Sequence, residues 1–138
     1  MRIAIVIAAL IAVVGCGAGS AAQSASPAST DLKITVWPDG RGEGDSKTYT
    51  LRCGPAAGTL PKVATACSKL GPMPRPFGPV SRDAMCTEQY GGPQQALVTG
   101  KYQGRSVWAM FSATNGCQIS RAKRIAFLLP GFNSSSNA

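Results

Sequence analysis

The stretch that decides the fold is 95-QALVTGKYQGRSVWAMFSA-113, which contains two strand-like runs on either side of Gln103-Gly104. Alternation of side chains with a period of two is typical of a strand that buries one face. Two such runs separated by a short, glycine-containing turn are typical of a β-hairpin. We interpret the apolar side chains of the second run as packing residues before any binding role: Val107, Trp108, Ala109, Met110 and Phe111.

Further strands are predicted on both sides of this hairpin. The segments 31-DLKITVW-37 and 47-KTYTLRC-53 alternate in the same way, and the acidic, glycine-rich loop 38–46 joins them. The segment 124-RIAFLL-129 is predicted to be a last strand. Runs joined by short turns favour an antiparallel sheet, here of about five strands.

A short helix is predicted between these strands. The segment 60-LPKVATACSKLG-71 repeats its apolar residues at helical spacing, with Pro61 early and Gly71 as a stop signal. Its cysteine is expected to face the strand that carries Cys53. The predicted fold is therefore α+β, with one or two short helices packed on the sheet and two disulfides.

The N-terminal residues are typical of an export signal. Arg2 is the only charge before the apolar run Ile3–Val14, which is shorter than the roughly 20 residues of a membrane-spanning helix but fits a signal peptide. Val13-Val14-Gly15-Cys16 resembles the bacterial lipobox, in which the cysteine receives a diacylglycerol and becomes the mature N-terminus. We predict a lipoprotein signal peptide over residues 1–15 and lipidation of Cys16, with an ordinary secreted protein as the alternative.

Composition divides the rest of the chain into three parts. Residues 16–30 are predicted to be a lipid-anchored flexible linker, because the segment after Cys16 is rich in small residues and has no large apolar side chain. Residues 31–132 are predicted to form one domain with a modest core. Residues 133–138 are predicted to be a disordered tail.

The five cysteines are best explained as one lipidation site and two disulfides. If Cys16 carries lipid, four cysteines remain in an exported chain, where they are expected to pair. Four cysteines can pair in three ways, and we favour sequential pairing because it closes loops of moderate length. This pairing joins Cys53 to Cys67 and Cys86 to Cys117.

Composition argues against an enzyme. The sequence has no histidine, which removes the usual general base of serine and cysteine hydrolases and the commonest metal ligand. It has no C-x-x-C spacing for zinc, and its six acidic residues form no recognisable catalytic pair. We therefore expect no enzymatic activity, no metal and no cofactor.

The basic charge does not indicate a nucleic-acid partner. The net charge is +8 and falls to about +7 without Arg2, which would suit phosphate contacts. The basic residues are nevertheless scattered singly, apart from Arg121, Lys123 and Arg124, and no nucleic-acid motif appears. Attraction to anionic envelope surfaces fits an anchored protein better.

One segment has a composition that forbids regular structure. It reads 72-PMPRPFGPVSRDAMCTEQYGGPQQ-95, with four prolines before Cys86 and Gly91-Gly92-Pro93 after it. Long irregular loops in compact domains usually carry function. A disulfide at Cys86 would hold this loop while leaving its tip exposed.

Five segments together resemble the small secreted subtilisin inhibitors of the Streptomyces type, over Leu32 to Phe132. They are TYTLRCGP at 48–55, VATACSKL at 63–70, MCTEQY at 85–90, YQGRSVWAMFS at 102–112 and NGC at 115–117. The number, order and spacing of the cysteines agree with sequential pairing in that family. The resemblance implies a serine protease inhibitor that binds its target through one disulfide-braced loop, and it also implies a homodimer formed through the sheet.

The resemblance further implies which residues meet the protease. The scissile bond of the family maps to Glu88-Gln89, and Asn115 matches an asparagine that supports the loop from behind. From sequence alone, an ordinary turn residue is an equally good interpretation of Asn115. The predicted reactive-site loop is Met85, Cys86, Thr87, Glu88, Gln89 and Tyr90.

The sequence departs from the family pattern at three places. Thr87 stands where a proline is common, and Glu88 stands where a large apolar or basic residue is common. The sequence has one extra residue at Gly91-Gly92. It is expected to loosen the leaving side of the loop, which is the part that follows the scissile bond. An unpaired carboxylate in an apolar pocket is unfavourable by several kcal/mol, so a subtilisin-like target is a poor match.

Two functions are therefore carried forward. The first is an inhibitor of a secreted serine protease, subtilisin-like or selective for acidic residues. The alternative is an envelope lipoprotein that keeps the fold but binds another partner without inhibiting proteases. In both, the domain is exported, either anchored at the extracellular face of the cell membrane or secreted.

Overall fold

A computed structural model of the chain describes residues 29–132. The predicted signal peptide 1–15, Cys16 with nearly all of the predicted linker, and the tail 133–138 therefore lie outside the described residues. None of the helices within 29–132 is long and apolar enough to cross a bilayer.

Four antiparallel strands form one sheet with the order β2-β1-β3-β4. Their bounds are β1 Thr30–Trp37, β2 Lys47–Cys53, β3 Gln95–Tyr102 and β4 Arg105–Ser112. The predicted hairpin is confirmed: β3 pairs with β4, and both turn residues, Gln103 and Gly104, have positive φ, which suits a two-residue turn. The first two predicted strands also pair with each other as expected.

Two α-helices and one short 3-10 helix complete the fold: α1 Val63–Leu70, α2 Gly116–Arg124 and the 3-10 helix Ala126–Leu128. The helix α1 lies where the sequence predicts it, and the disulfide Cys53–Cys67 joins it to the end of β2. The second disulfide, Cys86–Cys117, joins the long irregular segment to the first turn of α2. The sequential pairing is thus confirmed.

The core lies between one face of the sheet and the helices. Alternate residues of β1, namely Leu32, Ile34 and Val36, are fully buried, while their neighbours lie on the other face. Side chains from every strand and both α-helices join one buried cluster. This core and both disulfides lie within residues 29–132.

The prediction of a fifth strand at residues 124–129 is wrong. This segment forms the end of α2 and the 3-10 helix. Its buried residues continue a helical spacing from Ile119 through Ala122 and Ile125 to Leu128, so the short apolar run is the end of a helical stripe rather than a strand. Short apolar runs cannot be assigned to strand or helix by periodicity alone.

The long segment 71–94 forms neither helix nor strand, as its prolines predict. Tyr102 on β3 anchors its beginning, with the phenol oxygen 2.8 Å from Leu70 O and 3.1 Å from Met73 O. Burial raises the pKa of Tyr102, which keeps the phenol protonated and able to donate. The ring also packs edge-on against Phe77, with centroids 5.5 Å apart.

Candidate functional site

The predicted reactive-site loop is exposed along its whole length. All six residues from Met85 to Tyr90 are solvent-accessible, and the side chain of Met85 is 99% exposed. Tyr90 is a second exposed large side chain in the same loop. The loop can therefore be reached by a partner without prior unfolding.

The first half of the loop, up to Thr87, is held next to the start of α2. The disulfide brings the Cα atoms of Cys86 and Cys117 to 5.2 Å, and Gly116 N donates to Thr87 O at 3.0 Å. A Cβ on Gly116 would lie 2.1 Å from Thr87 Oγ1. A larger residue at this position would require the Thr87 side chain to move.

The chain that follows the loop is attached as well. Gly91 N donates to Ala113 O at 2.7 Å, and Gln94 Nε2 donates to Gly91 O at 3.0 Å. Gly91 is buried, and a Cβ there would lie 2.9 Å from Ile119 Cδ1. Gly91 is therefore packed and hydrogen-bonded, which argues against the loosening expected from Gly91-Gly92.

Both sides of the loop thus attach to one short support, which we define as Ala113–Cys117. This segment links the end of β4 to the first turn of α2. Within it, Asn115 has an extended backbone, and its Oδ1 accepts from Gln118 N at 3.0 Å. Asn115 is therefore the N-cap of α2, and it fixes the two following residues, which hold the loop.

Arg121 of α2 anchors the segment that precedes the loop. Its guanidinium donates to Gly78 O at 2.7 Å and to Met110 O at 2.5 Å. It also lies over the ring of Phe111, with Cζ 4.0 Å from the ring centroid. One side chain therefore ties the irregular segment to β4 and to the core.

The pKa of Arg121 is lowered, first by burial and then by repulsion from Arg124. An arginine stays protonated at neutral pH even with such a shift, so all of its donors remain available. The hydrogen bonds compensate for the lost hydration of the charge. Arg121 can stay charged while partly buried because the carbonyl oxygens of Gly78 and Met110 accept its hydrogen bonds.

The electrostatics of the exposed loop leave Glu88 available to a partner. Within residues 29–132, the only ion pair joins Arg52 Nε to Asp31 Oδ2 at 3.1 Å. No cation of the described chain therefore pairs with the Glu88 carboxylate. The same part of the chain holds no cluster of potential metal ligands.

The structure brings together most residues that the sequence singled out, but two supports were missed. The loop residues, Asn115 and the disulfide Cys86–Cys117 lie within one small region. The other disulfide, Cys53–Cys67, joins β2 to α1. Gln94 carried no signal of its own, and Arg121 was noted only as one of three neighbouring basic residues. The helix that carries Arg121 could have been found from Asn115 as an N-cap and from the basic residues of its last turn.

Replacing Arg121 by methionine tests its role as an anchor. We expect Arg121→Met to lower the free energy of unfolding by about 2 kcal/mol, since buried carbonyls lose their charged donor. The matched control is Arg124→Met on the exposed face of the same helix, which should change it by less than about 0.5 kcal/mol. Urea unfolding measures both, and amide exchange should rise near Gly78 only for the first variant. Equal losses in the two variants would contradict the anchor.

Comparison with known families agrees with this geometry. No curated protein sequence matches the chain significantly. A family model described as subtilisin inhibitor-like matches residues 13–115, which is more than half of the chain and includes the whole exposed loop. This family suggests protease inhibition, and the two disulfides are consistent with secretion. The chain belongs to the subtilisin inhibitor-like family.

Proposed function

We propose that this domain inhibits a secreted serine endopeptidase by inserting Met85–Tyr90 into the protease cleft like a substrate. The observation that carries the proposal is the attachment of both sides of an exposed loop to one support, Ala113–Cys117. The bond presented to the enzyme is Glu88-Gln89. Both residues of this bond are exposed, and it lies between the two backbone anchors, Thr87 and Gly91.

Preorganisation is the first reason for such a loop to bind tightly. A flexible substrate loses conformational freedom when a protease aligns it, which offsets part of the contact energy. The acyl side of the loop is the part that precedes the scissile bond. The hydrogen bond from Gly116 and the disulfide at Cys86 hold it in place before the protease binds. More of the contact energy therefore contributes to affinity.

Retention of the leaving segment is the second reason. After acylation of the protease at Glu88, the new amino terminus at Gln89 stays within three residues of the anchored Gly91. A nucleophile held beside the acyl bond reacts at a high effective concentration. Religation then competes with hydrolysis, and turnover stalls.

The target is chosen by Glu88. An ionised carboxylate enters a pocket favourably only where cationic or hydrogen-bonding groups meet it. A protease selective for acidic residues offers these groups, whereas a subtilisin-like pocket is apolar. The preferred target in this proposal is accordingly a glutamate-selective enzyme.

Asn115 supports the loop indirectly in this proposal. As the N-cap of α2 it orients the backbone of Gly116, whose N–H holds Thr87. Loss of a cap is usually unfavourable by about 1 kcal/mol. Asn115→Ala should therefore weaken inhibition together with the stability of the helix.

A second candidate function is kept because of Glu88 and Thr87. Thr87 stands in place of the proline, and Glu88 in place of the large apolar or basic residue, that suit subtilisin-like clefts. The fold can therefore serve another partner at the cell envelope. In this alternative the domain is a lipoprotein that does not inhibit proteases, and Glu88 is an ordinary solvated carboxylate.

We also propose that the domain is anchored to the membrane through lipid on Cys16, after removal of residues 1–15. Several acyl chains anchor stably where one alone is marginal. The linker between Cys16 and the domain then carries the inhibitor at the extracellular face of the membrane. Without lipidation, the same chain is secreted.

Substitution of Cys16 tests the anchor in the full chain. Cys16→Ser should abolish lipidation and stable membrane retention, because the acceptor thiol is missing, while the disulfides of the domain form normally. Mass spectrometry of the mature N-terminus and membrane fractionation measure the result. An unmodified cysteine in the wild type, or cleavage well downstream of it, would contradict the anchor.

Substitution of Glu88 tests the inhibitory mechanism. Glu88→Met removes the charge and adds apolar burial of about 2 to 3 kcal/mol, so inhibition of subtilisin should improve at least tenfold, since about 1.4 kcal/mol is one decade. Inhibition of a glutamate-selective protease should weaken in the same variant. The measurement is the inhibition constant against both enzymes.

Glu88→Gln is the matched control, because it removes the charge and keeps the shape. It should improve subtilisin inhibition less than Glu88→Met, and urea unfolding should place all three proteins at the same midpoint. If Glu88→Met leaves inhibition of every protease absent or unchanged, Glu88 is not the specificity residue. The non-inhibitory lipoprotein then becomes the better proposal.

A further inference from the structure

The strand β4 forms an open edge of the sheet. The order β2-β1-β3-β4 gives it a neighbouring strand on one side only, and unpaired N–H and C=O groups at such an edge can accept another chain. At the other edge, Arg52 and Ala57 exchange two backbone hydrogen bonds of 2.8 and 3.0 Å, which cover part of β2. Within residues 29–132, no backbone–backbone hydrogen bond outside the ladders involves Ser106 or Trp108. The first half of β4 is therefore the place at which the sheet can be extended.

The backbone groups of Ser106 and Trp108 point away from β3. Arg121 of α2, which is not part of the sheet, donates to Met110 O, so this carbonyl faces the open edge. In an antiparallel pair, backbone groups point alternately toward and away from the partner strand. Ser106, Trp108 and Met110 are alternate residues of β4. The N–H and C=O groups of the first two therefore face the open edge as well.

A hollow of about 750 Å³ runs along this edge. Four consecutive residues of β4 line it, Arg105–Trp108. Because successive side chains of a strand point to opposite faces, one hollow can reach all four only along the backbone edge. Its other wall is the segment Met73–Gly78. We call this hollow the edge groove.

The edge groove is formed before any partner binds. Tyr102 of β3 donates to Met73 O at 3.1 Å, and its ring packs edge-on against Phe77. These contacts hold the wall Met73–Gly78 in place next to the strands. Four partly buried side chains that pack against the core give the groove an apolar floor: Met73, Phe77, Tyr102 and Val107. A preformed, mostly apolar cleft with a few polar groups is typical of a binding site.

The charges of the edge groove are positive. Arg75 lies in one wall and Arg105 in the other, and no acidic residue of the described chain lines the groove. The only ion pair within residues 29–132 joins other residues, Arg52 and Asp31. Both guanidinium groups of the groove are therefore available to an acidic partner, and complementary charge favours such a partner over others.

We propose that the edge groove binds an extended, acidic peptide segment, which adds to β4 as an antiparallel fifth strand. In this mode of recognition, main-chain hydrogen bonds supply affinity and alternate side chains supply specificity. Residues of the added strand opposite Val107 and Arg105 lie on the same face as these two residues. The peptide thus carries an apolar residue opposite Val107 and, two positions later in its own sequence, an acidic residue opposite Arg105.

This binding mode does not use the predicted reactive loop. None of the residues Met85–Tyr90 lines the edge groove. The strand β4 reaches the support of the loop only at its other end, after Ser112. A bound peptide therefore leaves the loop exposed, and the inference does not depend on inhibition of a protease.

A labelled peptide tests the proposal on the protein as the cell produces it. The probe is the fluorescein-labelled heptapeptide TVTVTET, with its second valine opposite Val107 and its glutamate opposite Arg105. Fluorescence anisotropy should show saturable binding. Lysine in place of the glutamate should weaken binding about tenfold, because repulsion replaces attraction. Equal binding of the lysine peptide overturns the acidic specificity, and absence of saturable binding overturns the whole proposal.

Methylation of the peptide backbone provides a matched pair of controls. The third and fifth residues of the peptide lie opposite Trp108 and Ser106, so their N–H groups point at β4. Methylating these two nitrogens should weaken binding at least about tenfold, since two hydrogen bonds are lost. Methylating the fourth and sixth nitrogens, which point away, should change it less than about threefold. Equal effects of the two modifications contradict addition of a strand.

Ser106→Pro tests the edge from the side of the protein. Proline removes an N–H that faces away from β3, so it removes no ladder hydrogen bond and is tolerated at a sheet edge. Binding should weaken at least about tenfold, whereas Ser106→Ala keeps the N–H and should bind like the wild type. Urea unfolding shows whether both variants are folded. If Ser106→Pro does not fold, the methylated peptides decide the question.

Charge variants test the two arginines. The double variant Arg75→Gln, Arg105→Gln should weaken binding about tenfold, at about threefold for each lost pair. The matched control Lys47→Gln, Lys123→Gln removes equal charge from exposed positions outside the groove and should change binding less than about twofold. An equal loss in both double variants means that net charge alone drives binding, which overturns the proposal.

Amide hydrogen exchange reports the geometry directly. In the free protein, the amides of Ser106 and Trp108 should exchange quickly, and that of Val107 slowly because it belongs to the ladder. The peptide should slow exchange at the first two, and unchanged exchange there overturns the proposal. A dimer in sedimentation that Ser106→Pro abolishes, without any peptide binding, assigns the edge to a second copy of the chain and overturns it as well.

Discussion

The exposed loop depends on one constraint: the short support Ala113–Cys117 receives both of its sides. The irregular segment 71–94 has no strand ladder or helix of its own. Fixing the backbone of each residue is unfavourable by about 1 to 2 kcal/mol, so a few strong attachments must hold a long segment. The disulfide Cys86–Cys117 and the hydrogen bond from Gly91 to Ala113 supply them at the two sides of the loop.

The support is effective because it belongs to both layers of the fold. It continues β4, which is paired along its length with β3, and it begins α2, which Asn115 caps. Arg121, one turn further along the helix, ties the preceding part of the segment to β4 as well. Movement of the anchored residues Cys86, Thr87 and Gly91 relative to the core would therefore disturb the helix or the strand. The tips of the exposed side chains remain free to meet a partner.

The strands were predictable because burial of one face imposes alternation. Leu32, Ile34 and Val36 show it in β1, and the turn at Gln103-Gly104 marks the hairpin. The last apolar run was misassigned because six residues are too few to separate a strand from the end of a helix. Contacts formed by residues distant in sequence left no local pattern, so the roles of Gln94 and Arg121 were visible only in three dimensions. The packing of Gly91 has no local signal for the same reason, since its partners Ala113 and Ile119 come much later in the chain.

The central claim is that the domain presents Glu88-Gln89 as a held substrate bond. The most direct measurement is incubation of the wild-type domain with a glutamate-selective serine protease until no further change occurs, followed by mapping of new termini with and without reduction. The claim predicts one incomplete cleavage at Glu88-Gln89, with intact and cleaved forms persisting together and the fragments joined by Cys86–Cys117. Complete digestion, or a first cleavage at any other bond, would contradict it.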